Sequence, residues 1–329
     1  METRRLGGSD LDLTVVGLGT WVFGGRWGGA DDADSLAACH AAVDAGINWI
    51  DTADIYGQHR AERIVGRFLK ERSEDVIVAT KCGVAWETDP AFRIWRDASG
   101  DYIRSAVDRN LAALGIDTID LFQVHWPVTD ATAEETMGAM RDLQTAGKIR
   151  HIGVSNYATS DLEAAWDVTP FAGFQVGYHI MRRQIERSEL PWCADHGVGV
   201  LAYGPLAHGL LTGKMDASTT FSDDDWRAAS EFFTDEAWPE RVEVTRGLAR
   251  IAEEGGRPGG VAELAVMWVL RRPEVTSAIV GARNAEQARA NAALAGRPLG
   301  DDEIAAVEGL LAEYPGADRP YGHGEPPAK

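Results

Sequence analysis

Short runs of β-branched and other apolar residues alternate along the chain with longer stretches in which apolar positions recur every three to four residues. The short runs predict eight strands, at Thr14–Gly19, Asn48–Ala53, Val76–Lys81, Ile119–His125, Ile149–Ser155, Gly173–Tyr178, Val198–Ala202 and Ser277–Val280. The stretches between them predict helices at Asp34–Ala45, Ala61–Arg72, Asp101–Leu114, Glu134–Ala146, Ser160–Ala165, Glu186–His196, Val242–Glu253 and Ala285–Leu294. Eight such alternations indicate an α/β fold, a closed (β/α)8 TIM barrel. A doubly wound open sheet is the rival, but no G-x-G-x-x-G follows the first strand.

Further segments surround this repeating unit. Residues Arg4–Val15, with glycines between leucines, predict a β-hairpin before the first barrel strand. Two extra C-terminal helices are predicted at Val261–Leu270 and Asp302–Glu313, and Met215–Pro239 reads as an ordered or mobile loop after the seventh strand. No low-complexity linker divides the sequence, so we expect residues 1–329 to form a single domain.

Charge and cysteine usage narrow the classes of function. The formal net charge of −19 would repel phosphate-rich partners, so we expect no binding to nucleic acid or to an anionic membrane. Three scattered cysteines, Cys39, Cys82 and Cys193, fit a reducing compartment, and the histidines show no metal-ligand spacing. We find neither a signal peptide nor an apolar run typical of a membrane helix, and we expect a cytoplasmic protein.

Polar side chains close three neighbouring strands of the predicted barrel, where TIM barrels carry their chemistry. Asp51 and Tyr56 follow the second strand, Lys81 ends the third and His125 ends the fourth. Taken alone, each has a structural explanation: a turn cap, a packing aromatic, a solvated lysine and a half-buried histidine. However, a lysine that closes an apolar strand is unusual unless a carboxylate compensates it, and Asp51 lies on the adjacent strand.

This combination suits proton donation to a carbonyl oxygen. A tyrosine has a reference pKa of ~10, too high for ready proton transfer near neutrality. A cation about 4 Å away contributes ~4 kcal/mol at an effective dielectric of 20, enough to lower that pKa by ~2–3 units. Lys81 could supply the charge, Asp51 could hold Lys81 in place, and His125 could orient the carbonyl.

The Asp51, Tyr56, Lys81 and His125 set, in this order and strand placement, resembles the tetrad of the aldo-keto reductase family. The resemblance runs from Gly19-Thr20-Trp21 to Gly281-Ala282-Arg283, nearly the whole chain. It implies an enzyme, an NADP(H)-dependent oxidoreductase of the alcohol dehydrogenase or carbonyl reductase type. Such an enzyme reduces aldehydes or ketones to alcohols, with Tyr56 as the proton donor.

The resemblance also implies the residues that bind the cofactor. Ser155, Asn156 and Gln175 would bind the nicotinamide carboxamide, and Tyr203 would stack on the ring. The remaining cofactor residues that it implies are Gly19, Thr20, Trp21, Asp51, Gly204, Pro205, Leu206, Gly209, Gly281, Arg283, Gln287 and Asn291. Two positions depart from the family pattern: Gly204 stands where a serine is usual, and Gly177 where an acidic residue is common.

Arg283 favours NADP(H) over NAD(H). It lies just outside a predicted helix N-terminus, where the macrodipole favours anions rather than cations. A 2′-phosphate would remove that conflict by pairing with both Arg283 and the backbone donors. A solvated arginine is the alternative.

Aromatic residues are concentrated at the predicted rim, which is where a small-molecule carbonyl substrate would enter. Eleven tryptophans are many for this length, and those of the rim are Trp21, Trp27, Trp86, Trp95 and Trp126. They could form an apolar wall for the substrate or pack the loops down. We predict substrate contacts from Trp21, Tyr56, Trp86, His125 and Trp126, and the sequence indicates neither the particular substrate nor the oligomeric state.

Two other functions are compatible with the same residues. A regulatory subunit of this fold could sense the cofactor with little turnover. An aldolase-like lyase could use Lys81 as a Schiff-base nucleophile, although Asp51 would keep that lysine charged and thereby oppose nucleophilicity.

Overall fold

The computed structural model describes residues 1–25, 31–89, 91–127 and 131–319. Its strands are β1 Thr3–Arg5, β2 Asp12–Thr14, β3 Val16–Gly19, β4 Trp49–Asp51, β5 Ile77–Cys82, β6 Val84–Glu87, β7 Arg93–Arg96, β8 Ile119–Val124, β9 Ile149–Ser155, β10 Gly173–Gly177, β11 Gly199–Tyr203 and β12 Val275–Gly281. Its helices are α1 Asp32–Asp44, α2 Arg60–Lys70, α3 Gly100–Leu114, α4 Ala133–Thr145, α5 Thr159–Val168, α6 Glu189–His196, α7 Glu231–Thr234, α8 Trp238–Glu254, α9 Gly260–Leu270, α10 Ala285–Ala292 and α11 Asp301–Glu313.

Eight of the strands form a closed parallel barrel in the order β3, β4, β5, β8, β9, β10, β11 and β12, with β12 pairing back onto β3. The predicted (β/α)8 barrel is therefore confirmed, together with the hairpin that precedes it and the extra helices α9 and α11. A buried apolar layer lies between the barrel and the surrounding helices. Because all eight strands run the same way, the residues that end them meet at one mouth.

Apolar side chains fill the opposite end of the barrel. Leu6, Leu11 and Leu13 of the β1–β2 hairpin pack with Trp49 and Leu121 in one buried cluster. A Cβ atom at Gly17 would lie 2.1 Å from the Trp49 ring, so only glycine allows the indole to lie against the neighbouring strand. The barrel is thus closed at its base, and the mouth is the end available for chemistry.

Two structured segments at the mouth differ from the sequence prediction. After β5 the chain forms an antiparallel hairpin, β6–β7, in which Trp86 pairs with Ile94 and Ala85 with Trp95. The sequence pattern assigns no strand to these residues. The hairpin was missed because its two strands are short and carry bulky residues on both faces, so no apolar-polar alternation marks them.

The predicted loop Met215–Pro239 is ordered, and it contains the short helix α7. The fully buried Arg241 holds it: the guanidinium donates to the carbonyl oxygen of Phe232 at 2.6 Å and to Asp235 Oδ1 at 2.7 Å. It also donates to the carbonyl of Ala317 at 3.4 Å, which joins the loop to the C-terminal segment. A buried guanidinium needs such partners, so this segment is fixed against the body of the molecule.

Within the described part of the chain, we find no helix of the length and apolarity that crossing a bilayer requires. Likewise, among those residues no three His, Cys, Asp or Glu side chains are grouped so as to hold a metal ion.

An ionic network around the buried Arg257 connects helix α11 to the rest of the molecule. Glu303 of α11 accepts from Arg257 Nε at 2.8 Å and Nη2 at 2.9 Å, from Arg297 Nη1 at 2.9 Å, and from the backbone of Gly300 at 2.9 Å. These bonds, chiefly those from Arg257, lower the pKa of Glu303 to about 2.

This network predicts a pH-dependent contribution to stability. Because the folded-state pKa lies below the usual 4.5, the contribution is complete above pH 4.5 and is lost as the pH falls toward 2. We expect Glu303→Gln to lower the free energy of unfolding at pH 7 by about 2 kcal/mol, measured by denaturant titration. The difference from wild type should shrink below pH 4.5. A constant difference across that range would contradict this assignment, and Glu313→Gln on the exposed face of α11 is the control.

Candidate active site

A buried ammonium group lies at the centre of the barrel mouth. Lys81 is 0% exposed, and its Nζ donates to Asp51 Oδ1 at 2.9 Å and Oδ2 at 2.8 Å. The same nitrogen donates to the carbonyl oxygen of Thr52 at 2.8 Å and lies 3.3 Å from the hydroxyl of Tyr56. The structure therefore brings together three of the residues that the sequence singled out, with a carboxylate compensating the buried cation.

The prediction that Lys81 lowers the pKa of Tyr56 is wrong for this geometry. Burial raises the pKa of Tyr56 well above its usual value, and the negative charge of Asp51 raises it further. The physical reason is that the ammonium stands in contact with a carboxylate, so the phenol faces a nearly neutral pair rather than an isolated cation. Tyr56 is consequently fully protonated near neutral pH, and Lys81 is placed to stabilise the phenolate as the proton leaves.

His125 faces Tyr56 across the mouth. The two rings lie 5.9 Å apart at an interplanar angle of 79°. Burial and the charge of Lys81 lower the pKa of His125 well below its usual value, so the imidazole is neutral. Its buried Nδ1 has no hydrogen-bond partner within the described residues. A neutral imidazole can donate one hydrogen bond to a carbonyl oxygen without competing for the proton of Tyr56.

The turn that carries Tyr56 into α2 has an unusual backbone. Gly57, Gln58 and His59 have φ angles of 65°, 50° and 66°, three left-handed residues in succession, of which two carry side chains. The fully buried Glu62 holds this turn, since it accepts from His59 Nδ1 at 2.5 Å and from Thr80 Oγ1 at 2.6 Å. Strained turns persist only where the surroundings over-determine them, and here the strain lies next to the proton donor.

Sequence reasoning missed this support. Glu62 lies on the buried face of the amphipathic helix α2. A carboxylate at such a position is unusual, and the sequence pattern could have revealed it. Asp54 lies behind the same turn, fully buried, and burial together with the charge of Glu62 raises the pKa of Asp54 well above its usual value. Gln123 was missed as well, although it precedes His125 by two residues on the inward face of one strand.

The residues expected around the nicotinamide are in mutual contact. Asn156, left-handed at φ 62°, donates from Nδ2 to the carbonyl oxygen of His125 at 3.0 Å and to Ser155 Oγ at 3.1 Å. Its Oδ1 accepts from the hydroxyl of Tyr203 at 2.8 Å. Gln175 donates to Asp51 Oδ1 at 2.7 Å, so it also supports the buried ion pair. These contacts connect the ends of β8, β9, β10 and β11, and the bond from Gln175 reaches across to Asp51 on β4.

The glycine-rich segment after β11 runs along the mouth. Gly204 is left-handed at φ 67°, and a side chain there would meet only His208 Cε1, at 3.9 Å. Beyond Pro205 and Leu206, the residues from 207 to 209 are also left-handed. The ring of His208 lies 6.2 Å from Trp21 and 4.8 Å from Trp226. The segment Met215–Pro239 thus covers this side of the mouth, and Trp226 is a residue that sequence reasoning missed.

Backbone rather than side chains lines the mouth between β12 and β3. Gly19 and Gly281 lie opposite each other in these strands. Next to them, Thr20 Oγ1 donates to the carbonyl oxygen of Asp51 at 3.0 Å. A Cβ atom at Gly19 would lie 2.8 Å from Ile279 Cγ2, so the close approach of strands requires glycine there.

Helix α10 begins beside this glycine pair. Asn284 caps it by accepting from the backbone of Gln287 at 3.0 Å, while Gln287 accepts from the backbone of Arg283 at 2.9 Å. Asn291 donates to the carbonyl oxygen of Gly281 at 3.0 Å. Arg283 therefore lies on an exposed turn that its neighbours hold in place.

These features fit the expected dinucleotide. The amide and hydroxyl groups of Ser155, Asn156, Gln175 and Tyr203 surround the space next to the tetrad. Glycines leave room for a groove that backbone atoms line. An exposed arginine at a helix N-terminus suits a phosphate at the far end. The residues present are therefore suited to hold a nicotinamide at the tetrad and an adenosine phosphate near Arg283.

The tryptophans proposed for the substrate occupy different places around the mouth. Trp21 is 41% exposed and packs against Trp226 with ring centroids 5.1 Å apart. Trp86 lies on the β6–β7 hairpin, and its ring centroid is 5.3 Å from that of His59. Trp126 lines a cleft next to Asn156. Trp27 lies outside the described residues.

Comparison with known proteins is consistent with this geometry. Residues 15–312 match the model described as the Aldo/keto reductase family. The chain is 37% identical over 315 residues to Aldo-keto reductase YhdN of Bacillus subtilis, which covers 94% of each chain. It is 32% identical over 317 residues to the NADH-specific methylglyoxal reductase of Escherichia coli, covering 92% of this chain and 95% of the relative. The structure of the glycerol dehydrogenase AKR11B4 from Gluconobacter oxydans superposes with a TM-score of 0.89 at 38% identity, covering 98% of each chain.

The turn after Tyr56 generates a prediction about Glu62. Glu62→Ala leaves His59 and Thr80 with unpaired buried groups, so we expect the free energy of unfolding to fall by about 2–4 kcal/mol. Because the turn positions Tyr56, kcat should fall as well. Glu62→Gln, which keeps an acceptor for the hydroxyl of Thr80, should lose less of both. Denaturant titration and initial rates measure the two effects, and equal behaviour of the Ala variant and wild type would show that Glu62 does not support the turn.

Proposed function

Since the chain belongs to the aldo/keto reductase family, we propose that it is an NADP(H)-dependent oxidoreductase that reduces aldehydes or ketones to alcohols. One observation carries the proposal: a buried ammonium group, paired with Asp51, lies 3.3 Å from the hydroxyl of Tyr56. No structural requirement of the barrel explains an ion pair inside its mouth, whereas proton transfer to a carbonyl oxygen does. We also propose that the protein acts in the cytoplasm on a small-molecule carbonyl compound.

The chain's own residues would orient the carbonyl oxygen of the substrate and protonate it. A nicotinamide dinucleotide, when bound, supplies the hydride that adds to the carbonyl carbon. The O–H bond of Tyr56 breaks and its proton forms the hydroxyl group of the alcohol, which leaves a phenolate on Tyr56. Lys81, whose Nζ lies 3.3 Å from the hydroxyl of Tyr56, stabilises that phenolate with its positive charge, and the neutral His125 donates to the carbonyl oxygen and so orients it.

The preference for NADP(H) is part of the proposal and rests on Arg283. The relative from Escherichia coli is named as NADH-specific, so nucleotide choice varies among similar proteins. Support for NADP(H) comes from Arg283, an exposed arginine directly before the capped helix α10. A guanidinium there can pair with a 2′-phosphate.

Removing the phenol oxygen tests the role of Tyr56. We expect Tyr56→Phe to abolish the reduction of a reactive aldehyde such as 4-nitrobenzaldehyde, because no proton donor remains at the carbonyl oxygen. The affinity for NADPH, measured by fluorescence titration, should stay within about twofold, since the ring is kept. Tyr314→Phe, at the C-terminal end of α11, is the matched control. Full activity of Tyr56→Phe would remove it from the acid role, and NADPH binding without turnover in wild type would favour a cofactor-sensing subunit.

Removing the guanidinium tests nucleotide choice. We expect Arg283→Ala to weaken NADPH binding by about 10- to 100-fold and NADH binding by less than about threefold, since only NADPH carries the 2′-phosphate. Fluorescence titration with both nucleotides measures this. Arg289→Ala, exposed on the same helix, should change neither affinity. Equal losses for both nucleotides in Arg283→Ala would show that Arg283 does not read the 2′-phosphate.

A further inference from the structure

Arg182 fills the space that a side chain at position 177 would occupy. A Cβ atom at Gly177 would lie 2.0 Å from Arg182 Nη1 and 2.7 Å from Cζ. This chain therefore places a guanidinium group at that point of the mouth.

A tight turn after β10 brings Arg182 to this position. His179 and Arg182 form an antiparallel bridge, with the backbone N–H of Arg182 donating to the carbonyl oxygen of His179 at 2.8 Å. The chain reverses there, and the arginine side chain returns over the end of the strand. The position is set by backbone geometry and by the absence of a side chain at Gly177.

The guanidinium lies beside the candidate reaction centre. Gly177 is two residues beyond Gln175 on the same face of the strand, and Gln175 bonds to Asp51. Arg182 Cζ lies 6.0 Å from the centre of the Tyr203 ring, whose hydroxyl bonds to Asn156. Arg182 is thus near Tyr203 and lines one cleft with Asn156, whose side chain contacts the backbone carbonyl of His125.

A cleft of about 210 Å³ opens next to the guanidinium. Its walls include the apolar side chains of Trp126, Val176 and Ile185 as well as Arg182. Glu189 also lines it, and its carboxylate accepts from the hydroxyls of Ser188 at 2.6 Å and Thr159 at 3.3 Å. The cleft therefore combines an apolar wall with a cation on the side of the mouth.

The positive charge of Arg182 matters for substrate binding because the other groups at the mouth carry little net charge. Lys81 is in direct contact with Asp51, and His125 is neutral, so these groups add little net charge to the mouth. Arg182 supplies a positive charge at this point in a protein whose net charge is −19. A planar guanidinium recognises a carboxylate through two parallel hydrogen bonds, which gives both affinity and orientation.

We propose that Arg182 forms a carboxylate-binding subsite, and that the preferred substrate is an aldehyde or ketone that also carries a carboxylate. This inference rests on the proposed carbonyl reduction and specifies its substrate class. The apolar body of the substrate packs against Trp126, and its carboxylate pairs with Arg182 while its carbonyl group reaches Tyr56 and His125.

A matched pair of substrates tests the subsite. We compare 4-carboxybenzaldehyde with its methyl ester, which keeps the aldehyde and removes the charge. Wild type should prefer the carboxylate by at least about tenfold in kcat/KM, and Arg182→Gln should remove that preference by raising KM for the carboxylate alone. Gly177→Ala, which displaces the guanidinium but keeps its charge, should lose part of the preference. Arg183→Gln, which removes the adjacent charge, should change nothing.

Binding measurements separate this inference from the proposed function. Quenching of tryptophan fluorescence by 4-carboxybenzyl alcohol should weaken about 10-fold or more in Arg182→Gln relative to wild type, with or without turnover. No turnover of either aldehyde would reject the reductase proposal without deciding this one. Equal turnover of acid and ester by wild type, an unchanged preference in Arg182→Gln, or an equal loss of NADPH affinity in that variant would overturn the subsite.

Discussion

The contact between Lys81 and Asp51 is the interaction on which the mouth of the barrel depends. Removing an ammonium group from water costs several kcal/mol, and only close partners offset that cost. Asp51 provides two oxygens and the backbone of Thr52 a third, so the nitrogen has a full set of acceptors with Tyr56 as its remaining neighbour. Gln175 on β10 also donates a hydrogen bond to Asp51, so the ion pair depends on a contact from across the barrel as well. Loss of either charge would leave the other buried and uncompensated.

Segments outside the eight barrel strands determine how a substrate would reach the Lys81–Asp51 pair. The β6–β7 hairpin places Trp86 against His59, while the segment after β11 places Trp226 against Trp21. Both are fixed by buried contacts, the latter through Arg241. The barrel thus holds the reacting groups rigidly, and the surrounding segments shape the approach to them.

The sequence was sufficient for the barrel and for the placement of Asp51, Tyr56, Lys81 and His125 at one mouth, because period-two and period-3.6 patterns and the ends of parallel strands are local properties. It was insufficient where the outcome depends on burial or on distant partners. The direction of the pKa shift of Tyr56 is an example, since the neighbours were identified correctly but burial and the negative charge of Asp51 raise that pKa. The ordering of the segment around Arg241 and the role of Glu62 depend on contacts between residues far apart in sequence, and Arg182 reaches the mouth only through a turn that no periodicity reveals.

The apolar packing at the base of the barrel has a consequence for how molecules would reach the interior. Leu6, Leu11 and Leu13 pack around Trp49, so within the described residues apolar side chains occupy the end of the barrel opposite the mouth. If a cofactor and a substrate both bind at the mouth, they enter and leave from the same side. The molecule that lies deeper can then dissociate only after the one above it has left.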